Sequence, residues 1–194
     1  MRLPPRLARW NGHGAGRSAD AEVARAAETG TDGVFIACAG APAVHAARET
    51  VDIPVTGDFQ PALLTALGLG HRASIITVLP GVVPIVRELT RHDSLEARCS
   101  PVRVNTPVLS LGDQAVLLDS LYEQASRTVR AGDANVIVLG CTGFMGVPSA
   151  LQDRLAQDGT YVPVIDPTGA ALLTLESAVR LGVRSSRTTY ARRR

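Results

Sequence analysis

The sequence is poor in aromatic residues: Phe, Trp and Tyr make up 4% of its 194 residues. Its core must therefore come from Ala, Val, Leu and Ile, which dominate a 45% hydrophobic fraction. A surplus of one charge is also missing. The net charge is +2, and the basic residues are scattered except at the ends, Arg2, Arg6, Arg9 and Arg17 at one and Arg192 to Arg194 at the other. Both ends read as solvated tails, and nucleic acid is excluded as a partner. No apolar run approaches the ~18–20 residues of a membrane span, which excludes an integral membrane protein. No Cys-x-x-Cys pair exists and the four histidines are dispersed, which argues against a metal site. Three cysteines are an odd number, and the start, Met1-Arg-Leu-Pro-Pro5, has no apolar stretch behind it. The expectation is a cytoplasmic protein with reduced thiols.

Against this plain background one pattern occurs twice. The first copy reads Asp32-Gly-Val-Phe-Ile-Ala-Cys38-Ala-Gly40, the second Asn135-Val-Ile-Val-Leu-Gly-Cys141-Thr-Gly143. Each is an apolar run ending in a small residue, then Cys, a small residue and Gly. An echo follows each copy: Ile53-Pro-Val-Thr-Gly57 and Val162-Pro-Val-Ile-Asp166. Repetition in the same order predicts two similar half-structures. Cys99, in Ala97-Arg-Cys-Ser100, lacks the pattern and is assigned no catalytic role.

Periodicity fills in the elements. Residues 1–18 are rich in Arg, Gly and Pro and read as loop or disordered. Strands are expected at 34–37, 53–56, 73–78, 136–139 and 163–165, with 102–109 irregular or a strand. Helices are expected at 20–28, 42–49, 61–69, 82–91, 113–131, 148–157 and 170–181. In the longest, Leu117, Leu118, Leu121 and Ala125 form an apolar face at helical spacing. Short apolar strands alternating with helices imply parallel sheets with helices on both faces. In such sheets ligands gather beyond the carboxyl ends of the strands, which is where Cys38 and Cys141 fall.

Two thiols across one cleft suit a definite chemistry. One, as thiolate, removes a proton from a carbon beside a carbonyl; the other, as thiol, returns a proton to the opposite face. A cysteine ordinarily titrates near ~8.5, and the N-terminus of a following helix favours its thiolate. The same N–H groups suit a carboxylate or imide oxygen and the enolate formed from it. Two other readings remain open: an isomerase or decarboxylase with a cysteine that adds to an unsaturated acid or protonates an enolate, and a non-catalytic small-molecule binder.

At these segments the chain resembles the aspartate/glutamate/hydantoin racemase superfamily, in its hydantoin racemase-like branch. Ile36-Ala-Cys-Ala-Gly-Ala-Pro-Ala-Val-His-Ala-Ala-Arg-Glu49 is similar to the first cysteine motif, and Val138-Leu-Gly-Cys-Thr-Gly-Phe-Met145 to the second. Gly70-His-Arg-Ala-Ser-Ile-Ile-Thr-Val78 and Val162-Pro-Val-Ile-Asp-Pro167 match in order. The resemblance implies two pseudo-symmetric parallel-sheet α/β domains with the site in the cleft between them. The first domain would comprise 1–67 with 168–194, the second 68–167. It further implies racemisation without a cofactor, with Cys38 and Cys141 as acid/base pair and Gly40, Thr77, Thr142 and Gly143 holding substrate. That substrate would be an amino acid, a hydantoin or a related carbonyl acid, and the arrangement is compatible with a homo-oligomer.

Two departures accompany the resemblance. Family members open with a strand and an Asn-containing loop, and here no such strand is apparent, so the first domain is expected to be incomplete at its N-terminus. Ala41 stands where the first motif usually carries an acid. Other polar residues read blandly. His45 is a surface histidine of a helix, His71 structural, His13 without evident partner, and Asp166 a strand-end residue whose role stays open. Gly68-Leu-Gly70 is not a dinucleotide fingerprint, since it precedes a strand and lacks a third glycine.

Overall fold

The computed structural model describes residues 5–10, 17–38, 40, 43–77, 81–103, 113–141, 144 and 146–192. The chain divides into two compact units, residues 1–61 with 168–194, and residues 62–167. The divisions fall after Pro61 and Pro167, where the sequence suggests 67 and 167.

The first unit is built on a three-stranded parallel sheet ordered β1-β2-β3, from β1 (Leu7–Trp10), β2 (Gly33–Ile36) and β3 (Val55–Gly57). Between the strands lie α1 (Arg17–Glu28) and α2 (Val44–Thr50). Strand alternation sends Val34, Ile36 and Val55 to one face, where they pack with Val23 of α1 and Val44 and Ala47 of α2. Phe35 and Ala37 point the other way, onto Ala171 and Leu175 of α7 (Pro167–Leu181). A Cβ at Gly33 would stand 3.0 Å from Leu175. The missing side chain is what lets α7 lie close on β2.

Strand β1 corrects the expectation of a loop over 1–18 and of an absent opening strand. It pairs in register with β2, Leu7 beside Gly33 through Trp10 beside Ile36. Its entry is fixed by a reciprocal pair of bonds: Arg6 N–H donates to Asp32 Oδ2 at 2.7 Å, and Asp32 N–H to Arg6 O at 2.8 Å. Four residues flanked by Arg and Pro carry no strand pattern of their own; the pairing partner supplies it.

The second unit carries a four-stranded parallel sheet, ordered β5-β4-β6-β7. Its strands are β4 (Ala73–Thr77), β5 (Cys99–Arg103), β6 (Val136–Leu139) and β7 (Val164–Ile165). Its helices are α3 (Phe59–Leu69), which enters from the first unit, then α4 (Val82–His92), α5 (Gln114–Arg130) and α6 (Val147–Gln157). Ile76, Ile137, Leu139 and Val164 pack against Leu117, Leu121 and Ala125 of α5 and Leu151 and Leu155 of α6. Each such leucine contributes about 1.5–3 kcal/mol on full burial. Asp113 caps α5, accepting from the N–H groups of Ala115 and Val116 at 2.9 and 3.3 Å. Gly132, with φ +74°, follows the end of that helix in a conformation few other residues adopt. No helix among the described residues is long and apolar enough to cross a membrane.

The C-terminal segment after α7 departs from a free tail. Arg184, Arg187 and Arg192 all pair with Asp52, at 3.0, 2.7 and 2.7 Å. The guanidinium of Arg187 beside it holds the Asp52 carboxyl below the usual carboxylate range, aided by Arg184 and Arg192 and opposed by desolvation.

Candidate active site

In the first unit the site begins where β2 runs out. Ala37 is buried, and the chain then bends sharply, with Cys38 N–H donating to Ile36 O at 3.1 Å. The bend lifts Cys38 out of the sheet, leaving its side chain half-buried. Gly40 follows in a turn, half-exposed. Ala41 and Pro42 lie outside the described residues, and α2 starts at Val44.

Beside this corner, one residue beyond β3, stands a group the sequence reading passed over. Asp58 is 1% exposed, and neither carboxyl oxygen has a hydrogen-bond partner among the described residues. Burial pushes its carboxyl up to about 6; the N–H groups of Asp58 and Phe59 oppose that shift without reaching hydrogen-bond geometry. The register pairs Gly57 with Ile36, so Asp58 and Cys38 leave neighbouring strands at the same edge of one sheet. Its only sequence signal was an acid set between an apolar strand and an apolar helix. As first residue before α3 it has the position of a helix cap, but Pro61 occupies the third helical place and has no N–H to give.

In the second unit the equivalent corner is Gly140–Cys141. Gly140 N–H donates to Ile76 O at 2.8 Å, which extends the β6 to β4 pairing by one residue. Cys141 then leaves the sheet half-buried, packed against the α5–α6 core. The chain goes from β4 to β5 on one side and returns to β6 on the other. The carboxyl ends of β4 and β6 therefore flank the point where strand order reverses, the usual ligand crevice of open parallel sheets. Thr77 ends β4 there, next to Gly140, and is 1% exposed. Thr142 and Gly143 lie outside the described residues, as does His13.

The remaining candidates sit elsewhere. Cys99 opens β5, level with Ala73, so it lies at the amino edge of the sheet whose carboxyl edge carries Cys141. It is buried, and desolvation, against a small opposing effect of Arg98, pushes its thiol up to about 11. His71 also lies at the amino edge, its carbonyl accepting from Arg98 Nε at 2.9 Å. His45 is exposed on α2, its ring 5.7 Å from that of Tyr190. Asp166 is exposed, just past β7. Among the described residues no cluster of three His, Cys, Asp or Glu side chains could hold a metal ion.

Comparison with known proteins finds similarity along most of the chain. A family model described as Asp/Glu/Hydantoin racemase matches residues 2–175. The chain is 38% identical over 174 residues to a hydantoin racemase of Rhizobium meliloti, covering 88% of this chain and 70% of that one. It is 35% identical over 169 residues to a hydantoin racemase of Paenarthrobacter aurescens, covering 86% and 70%. Among solved structures it superposes on allantoin racemase from Klebsiella pneumoniae with a TM-score of 0.81 at 32% identity, covering 91% and 71%. For the allantoin racemase of Pseudomonas fluorescens the TM-score is 0.78 at 27% identity, covering 97% and 96%.

Proposed function

The chain belongs to the Asp/Glu/hydantoin racemase family, and on that footing we propose that it racemises a cyclic ureide of the hydantoin or allantoin type without a cofactor, with Cys38 and Cys141 as its acid/base pair. The observation that carries this reading is the matched placement of the two cysteines. Each is half-buried two residues past the carboxyl end of a parallel strand, whereas the third cysteine is buried at an amino edge.

Hydantoins and allantoin share a five-membered ring whose C5 carries one hydrogen beside a carbonyl. One cysteine, as thiolate, takes that hydrogen; the C–H bond breaks, an S–H bond forms, and the electron pair moves onto the carbonyl oxygen as an enolate. The other cysteine, as thiol, gives its proton to the opposite face of C5 and becomes the thiolate. The pair ends with its roles exchanged, ready for the reverse enantiomer, and no oxidant or reductant is consumed. A backbone N–H in the turn at Gly40 suits the enolate oxygen. An uncharged ring rather than an acidic amino acid is favoured by the identity to hydantoin racemases.

The test is polarimetry on single enantiomers of 5-substituted hydantoins and of allantoin in D2O, with the enzyme-free rate subtracted. Rotation is expected to decay to zero while one deuterium enters at C5. Inversion with retention of the original hydrogen defeats the two-thiol mechanism.

A further inference from the structure

Helix α2 is the element that follows the Cys38 loop, and by itself it is poorly founded. It has seven residues, fewer than an isolated helix needs to persist in water. Its N-terminus has no side-chain cap, and Ala43 there lies in the left-handed region at φ 62°, ψ 3°. A non-glycine residue keeps that conformation only where its surroundings hold it. Val44 and Ala47 anchor one side in the core. The other anchorage is at the far end.

There the guanidinium of Arg187, from the segment after α7, gathers several groups at once. Its Nη1 donates to Arg48 O at 2.8 Å and to Tyr190 O at 3.0 Å; its Nη2 donates to Val51 O and, at 2.7 Å, to Asp52 Oδ1; its Nε donates to the same Oδ1 at 3.0 Å. Arg48 and Val51 are the last turn and C-cap of α2, so a cation sits on helix carbonyls that the helix cannot itself satisfy. Arg48 continues the chain of contacts. Its Nε donates to Val55 O on β3 at 3.1 Å, its Nη1 to Tyr190 Oη at 3.0 Å, and its guanidinium lies 5.3 Å from the centre of the Tyr190 ring. The helix is thus tied at its C-terminus both to the sheet and to a segment more than 130 residues later.

We propose that Arg187 is a positioning residue for Cys38: by clamping the C-terminal end of α2 it fixes the helix against the strained turn at Ala43 and so sets where the thiol stands. A planar fork with five donors suits the task, since it reaches two helix carbonyls and a carboxylate together; a lysine cannot. The ion pairs to the half-exposed Asp52 are the lesser part. The catalytic meaning of this proposal rests on the reading of Cys38 as half of the acid/base pair.

The experiment follows Cys38 alone. The intact chain, wild type and Arg187→Met, is alkylated with iodoacetamide from pH 6 to 10, and peptide mass mapping separates Cys38 from Cys141. Arg187→Met is expected to change the Cys38 rate at least threefold and to move its pH midpoint, with Cys141 unchanged. Arg187→Lys should show the same displacement in smaller measure, and it stands in if the Met variant does not fold. Asp52→Asn, which leaves the carbonyl contacts in place, should leave the Cys38 profile close to wild type. Where racemisation is measurable, kcat falls about tenfold in Arg187→Met with KM held. A folded Arg187 variant whose Cys38 profile overlays that of wild type overturns the proposal, even if its melting temperature drops. If wild type racemises nothing while the Cys38 shift appears, the positioning role stands and the catalytic reading fails.

Discussion

Gly140 touches the backbone of Ile76. Its N–H donates to the Ile76 carbonyl at 2.8 Å, and a Cβ in its place would lie 3.1 Å from the same oxygen and 3.3 Å from Ile75 Cγ2 and Thr77 Cβ. The glycine before Cys141 is therefore a packing requirement at the edge of β4, not a flexible joint. Gly140→Ala forces β6 away from β4 just where the cysteine leaves the sheet. We expect a loss of about 1–3 kcal/mol, read from denaturant midpoints, and a fall in racemisation of at least about tenfold. Unchanged activity in a destabilised variant would separate Cys141 from this packing.

Two thiols working from opposite faces imply a specific asymmetry. Cys38→Ser and Cys141→Ser should each lose about 10²–10⁴-fold in racemisation, the usual worth of a general acid or base. In the proposed mechanism each cysteine is the base toward one enantiomer only, so each variant should lose C5 hydrogen exchange most severely from a different enantiomer. Equal loss from both enantiomers in both variants would argue for a single base.

Asp58 gives a pH dependence whose sign is fixed by burial. Its folded-state carboxyl lies at about 6, above the ordinary 3.8. Folding therefore favours the protonated form. The burden is absent below about pH 4, grows as pH rises toward 6, and is fully present above it. A shift of that size corresponds to about 3 kcal/mol. Asp58→Asn, which removes the charge and keeps the shape, should stabilise the protein by up to that amount at pH 8 and scarcely at all at pH 4. Unfolding curves at the two pH values decide it; an equal effect at both would mean the carboxyl is not carrying a buried charge.

Cys99 is expected to be silent. With its thiol at about 11, roughly one molecule in a thousand carries the thiolate at pH 8, and the side chain is 2% exposed. Thiol titration of the native protein should modify Cys38 and Cys141 and spare Cys99 until denaturant is added. Labelling of Cys99 at a rate like the others would show that β5 opens readily.

Local signals made much of this protein readable. The β6 run Val136–Leu139 has the same bounds in sequence and structure, and α5 buries Leu117, Leu121 and Ala125 as its spacing foretells. Both cysteine corners follow from an apolar run that ends abruptly in small residues. What stayed hidden depends on partners distant in the chain. Leu7–Trp10 is a strand because β2 lies beside it. Arg192 reads as a member of a basic tail until Asp52, some 140 residues earlier, is seen against it.

From the order of residues alone came the alternation of strand and helix, the doubled cysteine corner and the family those motifs belong to, because each is written in neighbouring positions where backbone preference and side-chain period act directly. The folded chain decided which acid lies buried without a partner among the described residues, which glycine has no room for a methyl group and what steadies the helix after Cys38. Those depend on burial and on contacts between segments that no local period encodes.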